Sequence, residues 1–225
     1  ALKGISSSLS NPLNFSISKS IKKTIGVTGY ELYDKWSSTL KEKYNHQVKN
    51  IDSKNNYTLI ENEGTKNINP KWSPDSKKIA FISNKLNDYF GQTDLFIYDV
   101  KKDSSEIIMS GVKSTPTWVN DSLIIYTKRS KPNENGSKFF DLYQYDFVNE
   151  EETRLTKQGR VFSPFYDKEE NIIFALNTFD GTTNIVAYDI IDSSLTQLTN
   201  YNDGIQMFSV SKYKDDFLVD AVINH

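Results

Sequence analysis

The 225-residue sequence holds no cysteine, two histidines and no long apolar run. Without cysteine there is no disulfide, no zinc–thiolate site and no thiol nucleophile. That absence leaves the compartment open, because many bacterial envelope proteins also lack cysteine. His46 and His225 are the only imidazoles, far apart in the chain. A histidine metal centre or a Ser-His-Asp triad is therefore not expected within these residues. No stretch approaches the ~20 apolar residues that span a bilayer. Residues 1–20 lack the charged start and apolar stretch of a signal peptide. Neither charge sign prevails: 27 basic and 29 acidic residues give a net charge of -2. Nothing in that balance favours nucleic acid or an anionic membrane as partner.

Aromatic residues are plentiful: thirteen Tyr, thirteen Phe and three Trp supply rings for a core. They recur with a beat. Pro70-Lys71-Trp72-Ser73-Pro74-Asp75-Ser76, Pro116-Thr117-Trp118-Val119-Asn120-Asp121 and Pro164-Phe165-Tyr166-Asp167 each precede an apolar run, and the prolines lie 46 and 48 residues apart. A second marker ends in Tyr98-Asp99, Tyr145-Asp146 and Tyr188-Asp189, at steps of 47 and 43. A third follows at 106–109, 153–156 and 196–199. Each unit thus holds about four short β-rich runs divided by Asn, Asp, Gly, Ser and Pro. A period of ~40–50 residues with four strands per unit describes a β-propeller blade. A fourth unit begins at Ile205 to Val210, with a second strand from Asp216 to Ile223.

The expected fold is mainly β. It is a partial β-propeller of about three and a half four-stranded blades, with an N-terminal helical hairpin at about 12–47. The domain division is 1–51 for the helical segment and 52–225 for the blades. Trp72 and Trp118 are expected to pack between blades. Asp99, Asp146 and Asp189 recur at a strand end in every unit, which argues for turn formation over catalysis. Three and a half blades do not close a ring. Either the polypeptide continues past His225 or the chain pairs with a second copy; continuation is the preferred expectation.

Pro-x-Trp-Ser-Pro-Asp-Ser-x-x-Ile-Ala-Phe followed by Leu-Phe-Ile-Tyr-Asp-Val resembles the PD40 (WD40-like) repeat of TolB-type β-propellers. The likeness runs from about Tyr57 to the C-terminus and weakens in the third unit. It implies a non-catalytic module that binds protein or peptide in the bacterial periplasm. Lys outnumbers Arg 24 to 3 and Asn is frequent, which hints at an AT-rich bacterial genome.

The first fifty residues lack the repeat. Phe15, Ile17, Ile21 and Ile25 suit one helix face ending at Gly26. Thr28 and Glu31 form a capping box, with Val27 and Leu32 as its hydrophobic staple. The second helix then carries Leu32, Tyr33, Trp36, Leu40 and Tyr44 as one apolar stripe. That stripe is expected to bury against the propeller or a preceding domain. Phe15 to Trp36 is similar to the tail of gluzincin (peptidase-MA-like) metallopeptidase domains, carried by Gly26, Leu32, Trp36 and Tyr44. This implies the alternative reading: an accessory region behind an upstream zinc peptidase domain. The family's His-Glu-x-x-His helix is not in the sequence, so no catalytic role passes to any residue here.

No phosphate-binding Gly-x-x-x-x-Gly-Lys loop, Gly-x-Ser-x-Gly elbow or Asp-rich calcium loop occurs. No catalytic, metal or cofactor residue is assigned and no cofactor is expected. Asn202-Asp203-Gly204 and Phe179-Asp180-Gly181 read as turns, Asp215-Asp216 as solvated acids and Glu150-Glu151-Glu152 as a solvated hairpin tip. Partner contact is assigned to two places. Tyr89 and Phe90 are apolar residues on a polar loop, facing either a partner or the N-terminal helices. Lys128, Arg129 and Lys131 form a basic cluster before the long loop 132–137. Loops of this kind carry propeller function. A central-channel site for sugar or another small ligand is the remaining option, marked by aromatic and acidic side chains at one rim.

Overall fold

The computed structural model describes residues 1–14, 16–49, 51 and 57–223. Phe15 of the first helical stripe, the expected blade boundary at 52 and His225 lie outside the described residues. The chain divides into two units, Ala1–Thr58 and Leu59–His225.

The first unit is three helices: α1 (Leu2–Leu9), α2 (Ile17–Ile25) and α3 (Gly29–Val48). The expected hairpin is α2–α3. Ser16 caps α2 by accepting from the Lys19 N–H at 3.3 Å, and Gly26 ends it in the left-handed region at φ 83°. At α3 the Thr28 hydroxyl accepts from the Glu31 N–H at 3.2 Å, and the Glu31 carboxylate accepts from the Thr28 N–H at 2.7 Å. Those hydrogen bonds hold the Glu31 carboxyl below its ordinary pKa. α1 was not expected. Its sequence, LKGISSSL, is rich in weak helix formers and has no side-chain cap. It packs on α2 through a close approach: a Cβ on Gly4 would lie 2.7 Å from Thr24 Cγ2. Asn14 ties the two helices by donating to Ser8 O at 3.1 Å and Ser20 Oγ at 2.8 Å. The α3 stripe is largely uncovered within the first unit. Leu32, Tyr33, Trp36 and Tyr44 are exposed, and the helix has no buried residue. Tyr33 and Trp36 pair with each other, at 5.7 Å between ring centroids.

The second unit contains three antiparallel four-stranded sheets and a hairpin. Blade 1 is β1 (Asn67–Trp72), β2 (Lys78–Ser83), β3 (Asp94–Asp99) and β4 (Ser104–Ser110). Blade 2 is β5 (Thr117–Asn120), β6 (Leu123–Arg129), β7 (Phe140–Asp146) and β8 (Glu151–Arg154). Blade 3 is β9 (Val161–Asp167), β10 (Ile172–Asn177), β11 (Asn184–Asp189) and β12 (Leu195–Gln197). β13 (Ile205–Tyr213) and β14 (Asp216–Ile223) start the fourth unit. Strands pair in sequence order within each blade.

The middle strands are buried on both faces because the blades stack. Ala80, Ile82, Leu95 and Ile97 of blade 1 pack with Trp118, Ile124, Tyr126 and Tyr143 of blade 2. Ile125 and Leu142 pack with Val161, Ile173, Ala175 and Val186 of blade 3. Phe174, Leu176 and Ile185 pack with Met207 and Val210 of β13. Two-sided burial is why these runs are continuously apolar and do not alternate.

One buried polar position repeats at the start of each third strand. Asp94 accepts from the Gly111 N–H at 2.9 Å and from Asn87 at 2.7 Å. Asp141 accepts from Arg154 at 2.6 Å, from Thr156 Oγ1 at 2.8 Å and from the N–H groups of Gln158 and Gly159. Asn184 accepts from the Tyr201 N–H at 2.7 Å. Each side chain thereby holds the segment leading to the next blade. The acids flagged in the sequence lie at the other end of that strand and build turns. Asp99 accepts from the N–H groups of Lys101 and Lys102, and Asp146 from those of Val148 and Asn149. Asp189 accepts from Ile191 and Asp192 in the same way.

Candidate functional site

The first strands of the blades, β1, β5, β9 and β13, each have one edge not paired within their own sheet. Together they wall a cleft of about 1370 Å³. Each of these strands breaks register against its partner, and in two of them the break holds a repeated proline. Asn69-Pro70 opposes the single residue Phe81, and Ser163-Pro164 opposes Ala175. Asn69 and Ser163 take positive φ, 56° and 52°, and the prolines that follow have no N–H to leave unpaired. Here the repeated proline ends regular pairing on an edge strand.

Neighbouring walls are tied across the cleft by one hydrogen bond per step. Trp118 Nε1 donates to Lys71 O at 3.1 Å, joining blades 1 and 2. The Tyr166 N–H donates to Thr117 Oγ1 at 3.1 Å, joining blades 2 and 3. Ser163 Oγ donates to Phe208 O at 2.6 Å, joining blade 3 to the hairpin. The backbone walls are therefore preset.

The lining is cationic and aromatic. Lys71, Lys113, Arg129, Lys138 and Arg160 line it together with one carboxylate, Asp220. The Arg129 guanidinium lies 5.3 Å from the Phe140 ring centroid, and that of Arg160 lies 4.9 Å from Phe139. Phe165, Phe208 and Trp72 add further rings. Among the described residues, none of the five cations has a carboxylate partner. Clusters of three or more metal-ligating side chains are also absent among the described residues.

Of the five residues assigned to partner contact from the sequence, only Arg129 lines the cleft. Lys128 points into blade 2: its Nζ pairs with Glu152 at 2.6 Å and sits 4.8 Å over Tyr143. Glu152 also accepts from the Tyr126 hydroxyl at 2.5 Å, and burial, reinforced by that carboxylate, pushes the Tyr126 pKa up. The acidic run at 150–152 is thus not wholly solvated; its last member is consumed inside the blade. Lys131 is exposed beyond β6. Tyr89 and Phe90 are 71% and 72% exposed on the β2–β3 loop, outside the cleft lining. Lys113, Lys138 and Arg160 were missed. Lys113 and Arg160 stand three and four residues before a repeated proline, a position legible on the same beat.

Blade stacking, four-stranded antiparallel sheets and the repeat together make this a partial TolB-like β-propeller with N-terminal helices. Over 116 residues the chain is 28% identical to the Tol-Pal system protein TolB of Ruthia magnifica subsp. Calyptogena magnifica, a match spanning 50% of this chain and 25% of the relative. The TolB structure from Acinetobacter baumannii matches with a TM-score of 0.50 at 20% identity, over 70% of this chain and 41% of that one. Putative TolB from Agrobacterium tumefaciens matches at 0.50 and 19%, over 72% and 64%. The chain thus spans a quarter to about two thirds of the relatives it matches. No family model matches it. No helix among the described residues is long and apolar enough to cross a membrane.

Proposed function

We propose that this chain is a non-catalytic propeller module that binds a protein or peptide partner along the first-strand cleft, in the bacterial periplasm. The observation that carries the reading is the cleft itself: strand edges fixed by inter-blade hydrogen bonds, set with aromatic rings and with cations that have no carboxylate partner among the described residues. A preset groove loses little entropy on binding. The likeness to a Tol-Pal system protein supports both the location and the interaction role. The accessory-region alternative rests on the α2–α3 pair and its Gly26 and Thr28–Glu31 caps. In the native gene product, about one zinc per chain would favour that alternative.

Site-specific photocrosslinking in the source organism tests the interaction reading. A photoreactive residue in place of Phe208 or Phe165, both in the cleft, is expected to yield discrete protein adducts. The same residue in place of Leu195, on the outer strand β12, is expected to yield none. Adducts at Leu195 alone, or at no position, would overturn the reading.

A further inference from the structure

Resting on that reading of the cleft, we infer that its ligand is an extended acidic peptide segment, gripped through side-chain carboxylates by Arg129 and Arg160. The first argument is residue choice. The chain uses 24 Lys and only three Arg, Arg129, Arg154 and Arg160. Arg154 is spent on the buried Asp141. The other two line the cleft. Arginine differs from lysine in presenting a planar fork that matches a carboxylate with two parallel hydrogen bonds.

The second argument is presentation. Each of these guanidiniums lies over a phenyl ring, Phe140 or Phe139, and none is neutralised by a carboxylate among the described residues. The ring contact restrains each guanidinium and leaves N–H donors available. The third argument is local charge. A chain of net charge -2 gathers five cations against one acid in this cleft. An anionic ligand is drawn there against the sign of the whole chain.

Extended peptide is favoured over other polyanions by the walls. The first-strand edges offer backbone N–H and C=O groups to a strand-like ligand. The rings of Phe165 and Phe208 offer apolar contact between its acidic residues.

The test uses two fluorescein-labelled peptides, Gly-Glu-Phe-Glu-Phe-Glu-Gly and its twin with Gln in place of Glu, with the full chain and fluorescence anisotropy. The acidic peptide is expected to bind at least about ten-fold more tightly than the twin. Its affinity is expected to fall several-fold as salt rises from about 0.05 to about 0.3 M. The double variant Arg129→Gln/Arg160→Gln should lose that preference at unchanged melting temperature, because both side chains are exposed. The double Arg→Lys variant should keep only part of it. Equal binding of the two peptides would overturn the inference while leaving the interaction reading intact. Tighter binding of a heparin fragment or an oligonucleotide than of the acidic peptide would overturn it too. Loss of cleft crosslinks in the source organism would instead sink the interaction reading.

Discussion

Trp72 and Trp118 hold the same place in successive repeats, 46 residues apart, yet Trp118 is 8% exposed and Trp72 is 58% exposed. Trp118 has a preceding blade. Its indole N–H reaches Lys71 O, its ring stacks on Phe147 at 5.6 Å, and it joins the core shared by blades 1 and 2. Both residues line the cleft, but Trp72 stays exposed there. The expectation that both pack between blades holds for Trp118 and fails for Trp72. A repeat determines which side chain is offered; the adjoining blade determines whether it is buried. The same contrast marks the two ends of the array. Ile79, Phe81, Phe96 and Tyr98 on the first face of blade 1 are buried, with Ile60 packed against them. Leu218, Val222 and Ile223 on β14 are exposed.

The largest expected effect tests this directly. Trp118→Ala removes a buried indole, its stacking partner and an inter-blade hydrogen bond. It should cost about 3–5 kcal/mol, within the range for aromatic core truncations. Trp72→Ala should cost no more than about 0.5 kcal/mol, as for other surface changes. Urea midpoints of the two variants measure the difference. Acrylamide quenching sharpens it: with Trp36 replaced by Phe, Trp72 should be quenched freely and Trp118 shielded. Equal midpoints would mean that the blade interface contributes little.

A smaller effect is expected where the contact lies within one unit and needs no neighbour. Asp141→Asn keeps the shape but removes the charge that Arg154 and two backbone N–H groups share. Hydrogen bonds to charged groups are worth about 1.5–3 kcal/mol, and a loss of that order is expected. Asn184, its counterpart in blade 3, is already uncharged and accepts from the Tyr201 N–H. Asn184→Asp should therefore change stability less than the reverse change at Asp141, by the same urea measurement.

Blade count, strand order and the start of the fourth unit were legible because aromatic, proline and turn residues recur on one beat. The buried Asp94, Asp141 and Asn184 keep that beat too, but a lone polar residue at a strand start looks like any turn residue until its backbone donors are seen. The cleft was hardly legible. Its cations come from three connections and two strand ends that only blade stacking brings together. Lys128 and Arg129 are adjacent in sequence but point to opposite faces of β6, so one is consumed within the blade and the other lines the cleft. In the helical unit the caps at Gly26 and Thr28 were local and readable, while α1 depends on packing against Thr24 and left no pattern. Thr28→Ala should cost about 1 kcal/mol, read as lost helicity by far-ultraviolet circular dichroism.

The smallest effect concerns the turn just after Trp72, where blade 1 meets blade 2 a second time. The Asp75 N–H donates to Asp121 Oδ1 at 2.8 Å, so the turn also bridges neighbours. The Ser73 hydroxyl donates to the Asp75 carboxylate at 2.7 Å, and the Lys77 N–H adds a second bond at 3.1 Å. These bonds, the Ser73 one foremost, hold the Asp75 pKa down to about 2 from an ordinary 3.8. A depressed pKa means that the unfolded chain binds the proton more readily than the folded one. The stabilisation is therefore complete above pH 3.8 and is lost as pH falls through about 2. Asp75→Asn removes this dependence. The gap in urea midpoint between the wild-type chain and the variant should be widest near pH 5 and close as the pH approaches 2. A gap that stays constant over that range would rule out the ionised carboxylate as its source, and the backbone bridge to Asp121 cannot account for it either because Asn keeps that N–H.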